Sequence, residues 1–279
     1  MQEEQKDDKD KFSDVPVRVR SWIVIIAIFF AAVTHPVLMC LFVCFLSFWG
    51  MKEFFTITGI RDHKLLYVLY AIVIPEYYLL YTEDYKTFLL LVFTYVIVAI
   101  TLNTLFCKRK HQNINVLIGV LLCVFSIGHL AFIRNLNLLS QHIEGIRILL
   151  LLIVLTELND VFQYLIGKTF GKKKITPKIS PNKTVEGFIG GLLCTTILSN
   201  LLGIFLLPDK SHIVYSLIGI LIAVFGFCGD IYISSFKRKA GIKDTSNLIP
   251  GHGGLLDRID SLLFITPIYY GFIYFMYIR

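Results

Sequence analysis

Charge is scarce in this chain. Of its 279 residues only 17% are Asp, Glu, Lys or Arg, while 56% are hydrophobic, a balance that excludes an ordinary soluble domain. Paired cysteines are missing too. Cys40, Cys44, Cys107, Cys123, Cys194 and Cys228 lie scattered in or beside apolar stretches without any CxxC. They read as small hydrophobic side chains, not as a zinc site or a redox pair. His35, His63, His111, His129 and His142 have no partner at ligand spacing and read as solvated or satisfied side chains. No internal repeat is present, so the inverted halves common in secondary transporters are not indicated. No small-residue cleavage site follows an early apolar core, and the acidic start reads as a solvated tail rather than a cleaved signal peptide.

What is abundant is apolar sequence in long runs. Crossing a bilayer takes about 20 residues per helix, and nine runs qualify: 17–34, 36–54, 65–82, 87–106, 113–133, 146–166, 187–207, 212–235 and 261–278. Only Thr34-His35-Pro36 separates the first two; proline cannot continue a helix without losing a hydrogen bond, which predicts a tight hairpin over one kinked helix. The expected fold is all-α, a polytopic integral membrane protein with about nine transmembrane helices. It divides into a charged tail (1–16), an N-terminal transmembrane region (17–145) and a C-terminal transmembrane region (146–279) that carries two polar loops, 167–187 and 234–260.

The net charge of +7 is unevenly placed. With nine spans, 22 of the 27 Lys and Arg residues fall on the side of the N-terminus and the two polar loops. The positive-inside rule makes that side cytoplasmic, so the loops are expected at the cytoplasmic face of the inner membrane. Trp22 and Trp49 fall at the cytoplasmic ends of the first two spans, where interfacial indoles belong. Glu76, followed by Tyr77, Tyr78 and Tyr81, is expected near the outer interface. Nothing else in residues 1–145 specifies chemistry.

The first polar constellation starts inside the sixth run. Glu157, Asp160, Tyr164 and Gly167 are spaced by three and four and share a helix face, which points into a protein interior. The loop that follows holds six lysines and one acid between residues 167 and 187. Ser180-Pro181 predicts a helix start, serine capping and proline at the first helical position, whose free amides would face an anion. Lys183 adds a point charge there and Thr184 a hydroxyl, ahead of Glu186. It is not a Walker loop: Pro177 and Asn182 stand where glycines would be needed before Lys183.

The second constellation reads Ser234-Ser-Phe-Lys-Arg-Lys-Ala-Gly-Ile-Lys-Asp-Thr-Ser-Asn-Leu-Ile-Pro-Gly-His-Gly-Gly-Leu-Leu-Asp-Arg-Ile-Asp260. Bilayer proteins keep charge near the membrane only where it is solvated, paired or used. Asp230, a lone carboxylate at the end of a long apolar run, needs a cation partner. Asp257 and Asp260 lie three apart, on one face if a helix begins after Gly254. Two or three converging carboxylates suit a hard ion such as Mg2+, which takes few carboxylates plus substrate phosphates. Gly251, Gly253 and Gly254 let backbone approach a ligand. Arg258 is placed to pair with the acids or clamp phosphate, and His252 to donate to phosphate or fix the loop. A metal and cations without a protein nucleophile are the pattern of phosphoryl or nucleotidyl transfer.

Both constellations resemble the phosphatidate cytidylyltransferases, over the stretch Asp160–Gly191 with its Ser180-Pro-Asn-Lys-Thr-Val-Glu-Gly core and over Ser234–Asp260, in the same order. Gln163 and Val185 depart from the family's usual alanine and aromatic. The resemblance implies transfer of CMP from CTP to phosphatidate, giving CDP-diacylglycerol and pyrophosphate. It implies Mg2+ on Asp230, Asp257 and Asp260, catalytic roles for these with Lys237 and Arg258, and substrate contacts from Asp160, Tyr164, Ser180, Lys183, Thr184, Glu186, Arg238, Lys243, His252, Gly253 and Gly254. The partners implied are CTP, phosphatidate and the bilayer, with no nucleic acid and with a homodimer left open. A CTP-dependent lipid kinase is the nearest alternative, with Asp160 accepting the hydroxyl proton. A transporter or lipid-binding scaffold is the alternative of another class, opposed by polar chemistry that lies in loops and not across the midplane. A CDP-alcohol phosphotransferase is disfavoured because no DGxxAR pattern occurs.

Overall fold

Inside a bilayer only internal hydrogen bonds satisfy the backbone, and the apolar runs fold accordingly as helices. The computed structural model describes residues 15–60, 66, 70–104, 112–138, 143–208, 210–250 and 253–278. In chain order the helices are α1 (Val15–Thr34), α2 (Pro36–Ile57), α3 (Val73–Thr82), α4 (Tyr85–Leu102), α5 (Asn113–Asn135, with a π-helical turn at Leu121–Ser126), α6 (Gly145–Phe170), α7 (Val185–Leu206), α8 (His212–Lys239), the single turn α9 (Leu256–Ile259) and α10 (Leu262–Ile278). Among the described residues, α2, α4, α5, α7 and α8 are long and apolar enough to cross a membrane, and α1 and α10 carry shorter apolar stretches. Two small antiparallel hairpins interrupt the helices: β1 (Asn137–Leu138) with β2 (Ile143–Glu144), and β3 (Lys174–Thr176) with β4 (Ser180–Thr184). The first lies before α6. The second displaces an element expected to be helical.

The chain reverses between α1 and α2. His35 is extended, its side chain accepts from Val37 N, and Pro36 opens α2. Phe29 and Phe42 come within 6.5 Å of each other across the turn, a contact no single helix allows at that separation.

Buried apolar side chains from α2, α5, the first half of α6, α8 and α10 form one core, with Phe54, Phe55, Ile133, Leu152 and Tyr269 fully enclosed. Cys40, Cys44 and Cys123 are buried and free, the packing role expected of them. His129 is satisfied in the same core, between Tyr85 Oη and Phe125 O; His63, His111 and His142 lie outside the described residues. Outward-facing Ile23, Phe30, Leu90, Phe93, Leu193 and Ile197 are exposed, as lipid-facing side chains are. Glu76 is fully buried between α2 and α3 and accepts from Ser47 Oγ at 2.8 Å.

The buried residues of α7 are Gly187, Gly191, Thr195, Ser199 and Gly203. This stripe of small residues repeats every four positions and lets backbones approach, the usual device of membrane helix packing. Thr195 Oγ1 donates to Asn159 Oδ1 of α6 at 3.1 Å and Ser199 Oγ to Tyr215 O of α8 at 2.7 Å. The stripe thus packs α7 against the polar face of α6 through Thr195 and against the first turn of α8 through Ser199.

Candidate active site

The segment after α6 turns back as the β3–β4 hairpin, with Lys174 opposite Thr184 and Thr176 opposite Ser180. Ser180-Pro181 therefore does not start a helix. The true cap is Thr184, extended at φ −119° and ψ 157°, whose Oγ1 accepts from Gly187 N at 3.1 Å. Thr-Val-Glu-Gly satisfies the first turn of α7 from inside the strand, and the serine four residues earlier is taken into the ladder. The carboxylate of Glu186 takes Lys172 N at 2.8 Å and Lys173 N at 3.1 Å, closing the turn beyond α6. Lys172, Lys173, Lys174 and Lys178 are exposed.

Lys183, carried inward by β4, lies with its Nζ 2.5 Å from Asp230 Oδ2 of α8. The lone carboxylate of α8 thus finds its cation on the other polar loop. Ser234 Oγ donates to the second oxygen of Asp230 at 3.1 Å. Burial works against the charge on Lys183, but Asp230 and Asp160 outweigh it and raise its pKa. About two helical turns beyond Asp230, buried Lys237 reaches Asp257 Oδ1 at 2.8 Å and Asp260 Oδ2 at 3.8 Å. Asp160 of α6 completes the group by accepting from Ser261 Oγ at 2.7 Å. Burial pushes the pKa of Asp260 well up and the neighbouring Asp230 pushes it further, against the pull of Lys237. Four aspartates from α6, α8 and the α9 region thus surround two ammonium groups.

Asp257 is held from several sides. Its Oδ2 accepts from Thr245 N at 2.8 Å, Thr245 Oγ1 at 3.1 Å and Gly254 N at 2.9 Å. Burial would raise its pKa, but Lys237 and these donors lower it. Gly253 has φ +82°, a conformation open to glycine. A Cβ on Gly254 would overlap Thr245 Oγ1 and stand 2.7 Å from Glu53 Oε2.

Glu53 was not legible as a site residue. It sits on α2, in the half of the chain that carries no motif, yet it is buried against the second polar loop. Its carboxylate accepts from Thr245 Oγ1, Ser246 Oγ, Leu255 N and Leu256 N at 2.6–3.0 Å. The only sequence signal was an acid near the end of an apolar run, and nothing local says what it meets.

Other expected residues are dispersed. Arg238 donates to Ile179 O and Ile242 O and so ties the two loops together. Lys243 is exposed. Arg258 is half-buried, and its Nε is buried without a hydrogen-bond partner. His252 and Gly251 lie outside the described residues. Tyr164 and Ser180 join Asp160, Gln163, Asn182, Lys183, Thr184 and Phe188 around a cleft of about 90 Å³. Asp160 Oδ1 and both amide atoms of Gln163 are buried there without a hydrogen-bond partner. Buried polar atoms are rarely left so, and a bound ligand would satisfy them.

Among the described residues no three His, Cys, Asp or Glu side chains converge as a metal cage. The donor set nevertheless fits a hard divalent cation. It is all oxygen, its acids outnumber its ammonium groups, and Asp160 keeps an unpartnered oxygen. Magnesium needs no more than one or two such carboxylates when phosphate oxygens and water complete its shell. A triphosphate entering this acidic cluster would require added positive charge.

A family model described as the cytidylyltransferase family matches residues 16–276. The chain is 37% identical over 272 residues to the uncharacterized protein YnbB of Escherichia coli K12, covering 94% of this chain and 88% of that one. It is 40% identical over 146 residues to a phosphatidate cytidylyltransferase of Staphylococcus saprophyticus and 40% over 148 residues to one of Staphylococcus aureus. Each of these matches covers 52% of this chain, and the chain spans about half the length of the staphylococcal relatives, 56%.

Proposed function

Because the chain belongs to the cytidylyltransferase family, we propose that it transfers CMP from CTP to phosphatidate, giving CDP-diacylglycerol and pyrophosphate. The observation that carries this reading is the meeting of the two polar loops in one charged cluster, Lys183 with Asp230 and Lys237 with Asp257 and Asp260. Such a cluster is built to receive opposing charges at close range.

In this reaction an oxygen of the lipid phosphate forms a bond to the α-phosphorus of CTP while the bond from that phosphorus to the bridging oxygen breaks. The pyrophosphate departs with the electron pair. The attacking phosphate is already ionised, so no side chain has to remove a proton. The work left to the protein is alignment and neutralisation. Lys183 and Lys237, poised between carboxylates, exchange part of their pairing for phosphate oxygens. Asp230, Asp257 through Oδ1, and Asp260 would hold Mg2+, which neutralises the triphosphate and the leaving pyrophosphate when bound. Asp160, Tyr164 and Lys183 line the cleft where the unpartnered atoms await a ligand. The same reading places nine spans in the inner membrane with both loops on the cytoplasmic side, where CTP and magnesium are supplied.

The test is an assay of the purified protein with labelled CTP, Mg2+ and a panel of lipid phosphates and lipid alcohols. Nucleotide-linked lipid with pyrophosphate supports the proposal. Phospholipid with CDP makes the protein a lipid kinase. Absence of any metal-dependent turnover makes it a transporter or scaffold.

A further inference from the structure

Glu53 is only 3% exposed, and its two oxygens take five donors. Oε1 accepts from Trp49 Nε1 at 3.2 Å, Ser246 Oγ at 2.6 Å and Leu255 N at 3.0 Å; Oε2 accepts from Thr245 Oγ1 and Leu256 N, both at 2.8 Å. A carboxylate offers about four lone-pair sites, so Glu53 has nothing left for a metal or a substrate. Four of the five donors belong to the second polar loop, roughly two hundred positions later in the chain. Apart from the Trp49 indole on its own helix, Glu53 therefore acts on that loop.

The loop amides show what is being held. Gly254 N goes to Asp257, while Leu255 N and Leu256 N, the next two, go to Glu53. These are amides at the start of α9, free of helical partners. The Thr245 hydroxyl stands between the acids, 2.8 Å from Glu53 Oε2 and 3.1 Å from Asp257 Oδ2. The neighbouring α2 residue secures the other side of the site: the Phe54 ring meets that of Phe236, 5.1 Å between centroids, and Phe236 precedes Lys237. Adjacent residues of α2 thus fix both partners of the Lys237–Asp257 pair.

We propose that Glu53 is the positioning residue of the active-site loop, the contact through which the N-terminal region sets Asp257 in place for metal and triphosphate. This rests on the reaction proposed above. An acid is needed because every neighbour donates; a glutamine would turn its own donors toward one of these amides or hydroxyls and leave a buried polar group unpaired. Groups that orient a metal ligand affect metal affinity or activity by about 10- to 100-fold.

The experiment compares wild type, Glu53→Gln and Glu53→Asp as full-length protein in detergent. Two readouts are taken: CTP turnover over a Mg2+ titration, corrected for folded fraction, and hydrogen exchange of residues 244–256. Glu53→Gln is expected to raise the Mg2+ concentration for half-maximal rate and to lower kcat, together by about 10- to 100-fold, with the KM for lipid phosphate little changed. Loop exchange should accelerate while that of α7 does not, and Glu53→Asp, which keeps the charge, should recover part of the magnesium response. Faster loop exchange with an unchanged magnesium response and kcat would mean a merely structural residue and overturn the inference. Unchanged loop exchange would overturn it as well. Should wild type turn over no CTP, the proposed reaction fails separately, and the inference is decided by whether Mg2+ slows exchange of residues 244–256 in wild type and does so less in Glu53→Gln; equal protection in both would overturn it.

Discussion

Lys237 stands between Asp257 and Asp260, its ammonium 2.8 Å from one carboxylate and 3.8 Å from the other. Asp257 lies in α9 and Asp260 in the turn that follows it, while the lysine is in the last turn of α8, so this one cation joins the two segments. Asp257 and Asp260 are also two of the carboxylates that would hold Mg2+ in the proposed reaction.

Replacing Asp257 by Asn keeps the shape of the side chain and removes the charge that Lys237 pairs with and that the proposed Mg2+ would require. Turnover is expected to fall by about 10²-fold or more with membrane insertion intact. Activity near wild type at any magnesium concentration would remove Asp257 from the metal site.

Lys183 is half-buried against Asp230. Lys183→Ala leaves a partly buried carboxylate without its partner, which destabilises beyond the loss of the contact itself. The double variant Lys183→Ala/Asp230→Asn should regain melting temperature relative to the single variant and remain inactive with CTP. Recovery of both together would make the pair structural only.

Gly254 has no room for a methyl group, because Thr245 and Glu53 fill the space. Gly254→Ala is expected to displace the loop at a cost of about 1–3 kcal/mol and to abolish turnover. Wild-type kinetics in this variant would show that the loop is free to move.

The ion pairs predict a pH response of definite sign. The pKa of Asp257 is lowered from 3.8, so its stabilising charge is fully present above that ordinary value and is lost as pH falls through the lowered one. The pKa of Lys183 is raised from 10.5, so its contribution is complete below the ordinary value and is lost as pH rises through the raised one. Melting temperature should therefore be insensitive to these two groups across the neutral range, with the loop loosening only in stronger acid. Hydrogen exchange of residues 244–256 against pH measures it; loosening well above pH 3.8 would contradict the assignment.

Topology is tested by single cysteines at Lys173 and Lys239 in a cysteine-free background. Both should resist an impermeant thiol reagent outside intact cells, while a cysteine appended after Arg279 should react. Labelling of either loop from outside would refute the cytoplasmic site. A protected C-terminus alone would instead alter the number of spans.

The helices and the two polar loops were legible because their causes are local. Apolar length makes a helix in lipid whatever surrounds it, and Pro36 breaks one wherever it stands. Asp230 announced its need for a cation, and Lys183 supplies it. The misreadings came where two local signals competed or where the partner was remote. Ser180-Pro181 and Thr184 both offer a helix cap, and pairing of β3 with β4 settles in favour of the second. Glu186 accepts from the amides of Lys172 and Lys173, more than ten positions earlier, contacts that no local pattern marks.

By itself, then, the sequence determined a membrane-embedded helical protein, the composition of two reactive loops and the class of chemistry they serve, since hydropathy, charge and capping act over a few residues. Only the tertiary structure decided which charges meet. Lys183 faces Asp230 because small residues let α7 approach its neighbours, and Glu53 enters the site because α2 packs beside the end of α8. Those contacts join residues up to two hundred positions apart. Their energy comes from burial that exists only after the helices assemble, so no local pattern encodes it.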